Sequence, residues 1–204
     1  MAARHVTVFG SSKATPGDVE YQQSLRLGRM LAEAGYTVVS GGYGGVMEAV
    51  SRGAAEAGGM VIGVTVRPWS ERHRPNAWLT REQPALHLFD RLNRLIWPSD
   101  AYVAMPGGAG TLGEIALTWN LFQTNSIPAR PLILLSEPWR RLFQHMQPAL
   151  RVDPTDLALL RFVDTVDEVI AVLRNAGPGV TRPAPPAGAT PSRPRGRRRG
   201  RPSP

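Results

Sequence analysis

Glu114 closes the run Met105-Pro106-Gly107-Gly108-Ala109-Gly110-Thr111-Leu112-Gly113-Glu114, which follows the short apolar run 101–104 and leads into Ile115-Ala116-Leu117-Thr118-Trp119. A strand that ends in glycines and opens into a helix can hold an anion, because first-turn N–H groups lack an intrahelical partner and the helix dipole is positive there. Gly107, Gly108 and Gly110 let backbone approach a phosphate closely, while Thr111 offers a helix cap and a hydroxyl. A carboxylate one turn beyond such a pocket points to chemistry on a phosphorylated ligand. Two other readings of these residues stay open. Thr111-Leu112-Gly113-Glu114 has the spacing of a capping box, and Thr165-Val166-Asp167-Glu168 shows the same spacing with no glycine loop before it. Gly108-x-Gly110-x-x-Gly113 also spells the dinucleotide fingerprint, with Glu137 as a candidate ribose-binding acid, which describes an NAD-dependent enzyme.

Arg91 stands 23 positions before Glu114, and Asp100-Ala101-Tyr102 lies between them, just ahead of Pro106. This constellation resembles the Lonely Guy (LOG) family, whose pattern is an arginine, a D-A-F/Y strand and then P-G-G-x-G-T-x-x-E. Upstream, Val8-Phe9-Gly10-Ser11-Ser12 resembles the family's first strand and turn, and Ser40-Gly41-Gly42-Tyr43-Gly44-Gly45-Val46-Met47 resembles its second glycine-rich turn. The similarity runs over roughly residues 4–175, in the family's order.

The resemblance implies a nucleoside 5′-monophosphate phosphoribohydrolase, which cleaves the bond between a purine-type base and ribose 5-phosphate with no cofactor and no metal; plant members release cytokinins. Breaking an N-glycosidic bond develops positive charge on the sugar and negative charge on the departing base, so it calls for a carboxylate, an in-line water and a cation or donor. Carried onto this chain, Glu114 is the carboxylate and Arg91 the cation. Gly107, Gly108, Gly110 and Thr111 hold the 5′-phosphate, and Ser11, Ser12, Gly42, Gly44 and Met47 border the ribose or base. The resemblance also implies a homodimer packed through the helix that carries Ile115, Leu117, Trp119, Leu121 and Phe122, apolar nearly all round.

Plainer readings stand beside each of these. Arg91 fits an exposed helix face beside Arg94, Ser11 and Ser12 fit a turn cap, Met47 fits an ordinary core, and the apolar helix fits a monomer that buries it internally. The chain departs from the family at Leu92, where a basic residue is usual, and at Gly113, where an acid is usual. Its Thr118-Trp119 pair falls about two positions early. A nucleotide sensor or cofactor carrier of the same fold therefore remains an alternative, and the segment 67–84 has no assigned role.

The elements that must position these residues follow from periodicity and punctuation. Strands are expected at His5–Gly10, Tyr36–Ser40, Met60–Val66, Ala101–Met105, 131–136 and 160–163. Helices are expected at about Val19–Ala34, Val46–Ala57, Leu86–Trp97, from Thr111, around Trp139–Met146 and at Val166–Arg174, with a long polar excursion at 67–84. This alternation predicts an α/β, Rossmann-like doubly wound parallel sheet with helices on both faces, in a single domain over residues 1–176. In such sheets ligands bind beyond the strand carboxyl ends, where all three glycine turns fall.

Composition excludes several function classes. With no cysteine among 204 residues, disulfides, thiolate nucleophiles and thiolate metal sites are ruled out, and His5, His73, His87 and His145 are scattered. LOG members have long carried a lysine decarboxylase label, but pyridoxal chemistry needs a Schiff-base lysine, and Lys13, the only one, sits in a polar loop. No apolar run reaches membrane-spanning length and no secretory signal opens the chain, so a cytoplasmic protein with no membrane partner is expected. The net charge of +8 is unevenly placed: seven arginines and no acid lie from Arg182 onward, leaving the remainder near neutral. Residues 177–204 read as a disordered Pro/Gly/Arg-rich basic tail, either a solvated end or a contact for nucleic acid or an acidic surface.

Overall fold

Residues 4–67 and 74–176 are described by the structure, a computed structural model. The expected basic tail lies outside the described residues. In chain order the elements are β1 (Arg4–Phe9), α1 (Val19–Glu33), β2 (Tyr36–Ser40), α2 (Val46–Glu56), β3 (Val61–Gly63), β4 (Arg81–Glu82), α3 (Leu88–Ile96), β5 (Ala101–Ala104), α4 (Ala109–Gln123), β6 (Leu132–Leu135), α5 (Glu137–Ala149), α6 (Pro154–Leu157), β7 (Leu160–Val163) and α7 (Val166–Asn175). The seven strands form one parallel sheet in the order β4-β3-β2-β1-β5-β6-β7. The chain winds outward from β1 to β4, then returns to lay β5 against the other side of β1. That reversal puts a crevice between the carboxyl ends of β1 and β5.

Both faces of the sheet are covered, which is why its strands read as continuous apolar runs. Along β5, Ala101 and Val103 join one core with residues of α1, α2 and α7, whereas Tyr102 and Ala104 join a second core with residues of α3, α4 and α5. On the first face α1 and α2 touch backbone to backbone: a Cβ on Gly28 would come within 2.1 Å of the Val50 carbonyl oxygen, and one on Gly53 within 1.9 Å of that of Leu25. On the second face α3 is tied to the sheet at its C-terminal end. The Leu95 carbonyl accepts from the hydroxyls of Thr7 (2.8 Å) and Ser99 (3.1 Å), and the Ile96 carbonyl from that of Tyr102. At its other end, His87 caps α3 by accepting from the Asp90 N–H. A helix pinned at both ends holds Arg91 at a fixed height over the strand ends.

Two expectations need correction, and one short element was not foreseen. The third strand is only Val61–Gly63, since the chain beyond it turns to meet the excursion and only Val66 pairs again, with Ala85. The excursion is not simply a loop: its second half returns as the parallel edge strand β4, paired Ile62 to Arg81 and Gly63 to Glu82. The one-turn helix α6 carries no apolar periodicity, and its signal was limited to Asp153-Pro154 at its start.

Candidate functional site

Three turns meet in the crevice. The Ser11 N–H donates to the Pro106 carbonyl (3.1 Å) and the Val46 N–H to the Ser11 carbonyl (2.8 Å), so the loop after β1 ties the second glycine turn to the third. The two helix starts then differ in what they offer a ligand. The first amide of α2 is already used by Ser11, whereas α4 begins at Gly108 with no side-chain cap. A Cβ on Gly108 or Gly110 would meet nothing within 4 Å. The start of α4 is thus an open ring of backbone donors, the arrangement that receives a phosphate.

Thr111 does not cap this helix, contrary to expectation. Because α4 starts two residues earlier, Thr111 is its third residue and 3% exposed, with its hydroxyl directly over Gly107, where a Cβ would come within 2.2 Å of Oγ1. The capping-box reading of Glu114 fails for the same reason, since Glu114 lies well inside the helix. In contrast Thr165 does cap its helix, its hydroxyl accepting from the Glu168 N–H, while the Glu168 carboxylate reaches back to the Asp164 N–H, one residue before the cap. The dinucleotide reading loses support as well. Its third glycine must pack helix against strand, but Gly113 faces open space, and Glu137 is paired with Arg140 and Arg141.

Thr111, Glu114 and Thr118 share one face of α4, and that face turns inward. There Glu114 Oε1 lies 3.4 Å from Nη1 of Arg91, with the two side chains 11% and 8% exposed. The exposed-arginine reading is therefore wrong: it is Arg94 that points outward, to Asp90, while Arg91 reaches in. Arg91 Nε donates to the Val64 carbonyl (2.9 Å), Nη2 lies 3.7 Å from Met47 Sδ, and the guanidinium carbon is 6.0 Å from the centre of the Tyr43 ring. Gly41 makes the room, for a Cβ there would come within 1.8 Å of Nη2.

This pair is an uneven ion pair. Burial pushes the Glu114 carboxyl up from 4.5 to about 7, and the attraction and hydrogen bond of Arg91 offset only part of that. A single contact at 3.4 Å is longer than a charge-assisted bond of good geometry, about 2.7–2.9 Å, which explains why desolvation wins. A carboxyl poised near neutrality can take a proton from water and return it at little cost.

The remaining candidates divide. Met47 sits beside Arg91, and Gly44 is open, with its nearest neighbours at 3.9 Å. Gly42 instead builds the turn itself, at φ +77°, packed on Gly63 and Thr65. The Ser11 hydroxyl accepts from the Lys13 N–H, a turn cap, and Ser12 is exposed. Sequence reasoning missed Tyr43 and the Val64 carbonyl as neighbours of Arg91; an aromatic residue between glycines at a strand end was the available signal for the first.

The outer faces of α3 and α4 are apolar and uncovered. Leu88, Phe89, Trp97 and Leu112 are 37–77% exposed, and a groove of about 210 Å³ runs between the helices, lined by Phe89, Leu92, Ile96, Trp97, Leu117 and Leu121 among others. Within the single chain, Ile115 and Phe122 of α4 are buried, and Leu117, Trp119 and Leu121 are half-buried against the second core. Among the described residues no helix is long and apolar enough to cross a membrane.

Comparison with known proteins agrees with this architecture. The SLOG cluster4 family model matches residues 3–148. A probable cytokinin riboside 5′-monophosphate phosphoribohydrolase of Oryza sativa subsp. japonica is 36% identical over 121 residues, covering 57% of this chain and 48% of that one. The cytokinin riboside 5′-monophosphate phosphoribohydrolase of Rhodococcoides fascians is 29% identical over 156 residues, 72% of this chain and 75% of that one. Among solved structures, the molybdenum cofactor binding protein of Rippkaea orientalis superposes with a TM-score of 0.69 at 25% identity, covering 86% of this chain and 98% of that one.

Proposed function

We propose, from the premise that the chain belongs to the SLOG cluster4 family, a LOG-like family, that it hydrolyses the N-glycosidic bond of a purine-type nucleoside 5′-monophosphate to the free base and ribose 5-phosphate. The observation that carries this reading is the buried Arg91–Glu114 pair one turn beyond an uncapped, open helix start. The 5′-phosphate docks on the amides at Gly108–Thr111, and that remote binding energy places the anomeric carbon by Glu114. As the carbon–nitrogen bond breaks, its electrons leave with the base and positive charge grows on the ribose, which the carboxylate stabilises. Glu114 then takes one proton from the attacking water, whose oxygen bonds to the anomeric carbon, and gives up that proton, directly or through solvent, to the departing nitrogen, so that the carboxylate is restored. Arg91 keeps Glu114 ionised often enough to act, which burial alone would prevent.

The same reading includes a homodimer through the uncovered faces of α3 and α4, the two helices that carry Arg91 and Glu114, and a cytoplasmic site of action. Incubating the purified protein with a panel of nucleoside 5′-monophosphates and separating the products by chromatography tests the activity. Free base is expected from the wild type and none from Glu114→Gln. A second reading, a cofactor carrier, is favoured by the likeness to the Rippkaea orientalis protein along nearly all of that chain. It predicts a tightly bound nucleotide-like ligand that stays intact in the same assay.

A further inference from the structure

The return of the excursion is stitched into the sheet and the glycine turn at once. The Thr80 N–H donates to the Val61 carbonyl (3.0 Å), the Gln83 N–H to that of Gly63 (2.8 Å), and the Thr65 hydroxyl to Glu82 (2.6 Å). Ahead of β4, Asn76 folds over the second glycine turn: its N–H donates to the Gly42 carbonyl (2.9 Å), its Nδ2 to the Tyr43 carbonyl (3.0 Å), and its Oδ1 accepts from the Trp78 N–H. Two polar groups of Asn76 thus hold the backbone at Gly42 and Tyr43, the residue whose ring faces Arg91, and the third ties Asn76 to its own segment at Trp78.

Tyr43 is itself held at its far end. Its hydroxyl accepts from the Val66 N–H (2.8 Å) and lies 3.3 Å from the Val66 carbonyl, and the residue is 7% exposed. The ring therefore spans from the chain after β3 to the guanidinium. An arginine side chain has several rotatable bonds and must lose that freedom to present one face to Glu114. The Val64 carbonyl fixes Nε, Met47 borders Nη2, and the Tyr43 ring closes a further side with a cation–π attraction.

We propose that Asn76 and Tyr43 are positioning residues for the Arg91–Glu114 pair: Asn76 fixes the Tyr43 backbone, and the Tyr43 ring holds the guanidinium toward the carboxylate. This rests on the hydrolase reading for its kinetic arm and on the geometry alone for its titration arm. Residues 76–83 of the excursion, which the sequence leaves without a role, become the outer wall of the site.

The test compares Tyr43→Leu, Tyr43→Phe and Asn76→Ala in the full chain. The first readout is the ionisation of the Glu114 carboxyl, followed by carbon-detected NMR across pH. Arg91 is the charged group that acts on Glu114, so a guanidinium that drifts away lets the midpoint climb above about 7 in Tyr43→Leu and Asn76→Ala. Tyr43→Phe keeps the ring and leaves the midpoint near the wild-type value. The second readout is base release. A misplacement of the order of 1 Å costs up to about 100-fold in rate, so kcat should fall roughly ten-fold in the first two variants, while KM, set by the phosphate at α4, stays within about two-fold. Lower melting temperatures with an unmoved Glu114 midpoint and an unchanged kcat would overturn the proposal, since a merely structural role predicts that pattern. A wild type that releases no base defeats the hydrolase reading and leaves the titration to decide this one.

Discussion

Replacing Glu114 with glutamine should change how stability depends on pH, and the size of the change follows from burial. In the folded protein the carboxyl ionises near 7 against 4.5 when exposed, because removal from water outweighs the pull of Arg91. Between those two values the folded state holds a proton that the unfolded state has released, so unfolding free energy falls as pH rises. At 1.36 kcal/mol per unit, the loss is about 3 kcal/mol, complete by the time the folded carboxyl has ionised, with no further change at higher pH. Glutamine carries no proton equilibrium and escapes this loss. The variant has its own offset, because Arg91 then lies buried without a counter-charge, but that offset does not vary with pH over this range. Asp18, Glu56 and Asp90, whose carboxyls are held low by their own hydrogen bonds, titrate alike in both proteins and cancel in the difference. Urea melts of both proteins at pH 4.5, 6 and 8 should show the variant gaining about 3 kcal/mol relative to the wild type across the series. In a thermal scan this corresponds to about 6–12 °C for a chain of this size. A gap that stays constant within about 0.5 kcal/mol would show that Glu114 is not desolvated as described. A gap that moves the other way would mean that Arg91 dominates and depresses the carboxyl.

The neighbouring positions give sharper contrasts in activity. Arg91→Met should abolish base release by at least about 100-fold, the scale of losing one positioned charge in a dry site, and should raise the Glu114 midpoint further, read by the same NMR titration. Gly41→Ala puts a methyl 1.8 Å from Nη2 of Arg91 and 2.5 Å from Met47 Sδ, both ends of flexible side chains, so the fold should survive with the guanidinium displaced and kcat lost. Gly110→Ala meets nothing within 4 Å, so the melting temperature should hold while KM for the nucleotide rises as the methyl crowds the amides at the start of α4. Phe89→Glu, on the exposed face of α3 at 77% exposure, should convert a dimer to a monomer in light scattering; an unchanged mass would remove the α3–α4 face as the interface.

Much of the fold was legible because strands covered on both faces leave uninterrupted apolar runs such as 101–104 and 132–135, and because Gly35, at φ +80°, stops α1 where only glycine sits without strain. What escaped notice was short or depended on distant partners. β4 is the two-residue pair Arg81–Glu82, exposed and without apolar alternation, and it is a strand only because β3 offers an unpaired edge. The start of α4 was misplaced because Thr111 is a strong cap by type, whereas the backbone enters the helix at Gly108, which has no side chain to signal it.

The site divides along the same line. Arg91 and Glu114 could be singled out by spacing, yet nothing local says that an arginine in the middle of a helix beside Arg94 turns inward while its neighbour turns out. That choice is made by the Val64 carbonyl, the hollow at Gly41 and the Tyr43 ring, which belong to other elements. Burial of the pair is also what lifts Glu114 toward neutrality, so its raised pKa is a property of the packed crevice and not of the motif. A T-x-x-E run acts as a simple cap at Thr165–Glu168, on an exposed helix start, and holds a perturbed carboxyl at Thr111–Glu114, where two glycines open the helix start and a neighbouring helix delivers a cation. The same four-residue pattern thus has two outcomes, and the environment that decides between them is assembled from residues as far apart in sequence as Gly41 and Glu114.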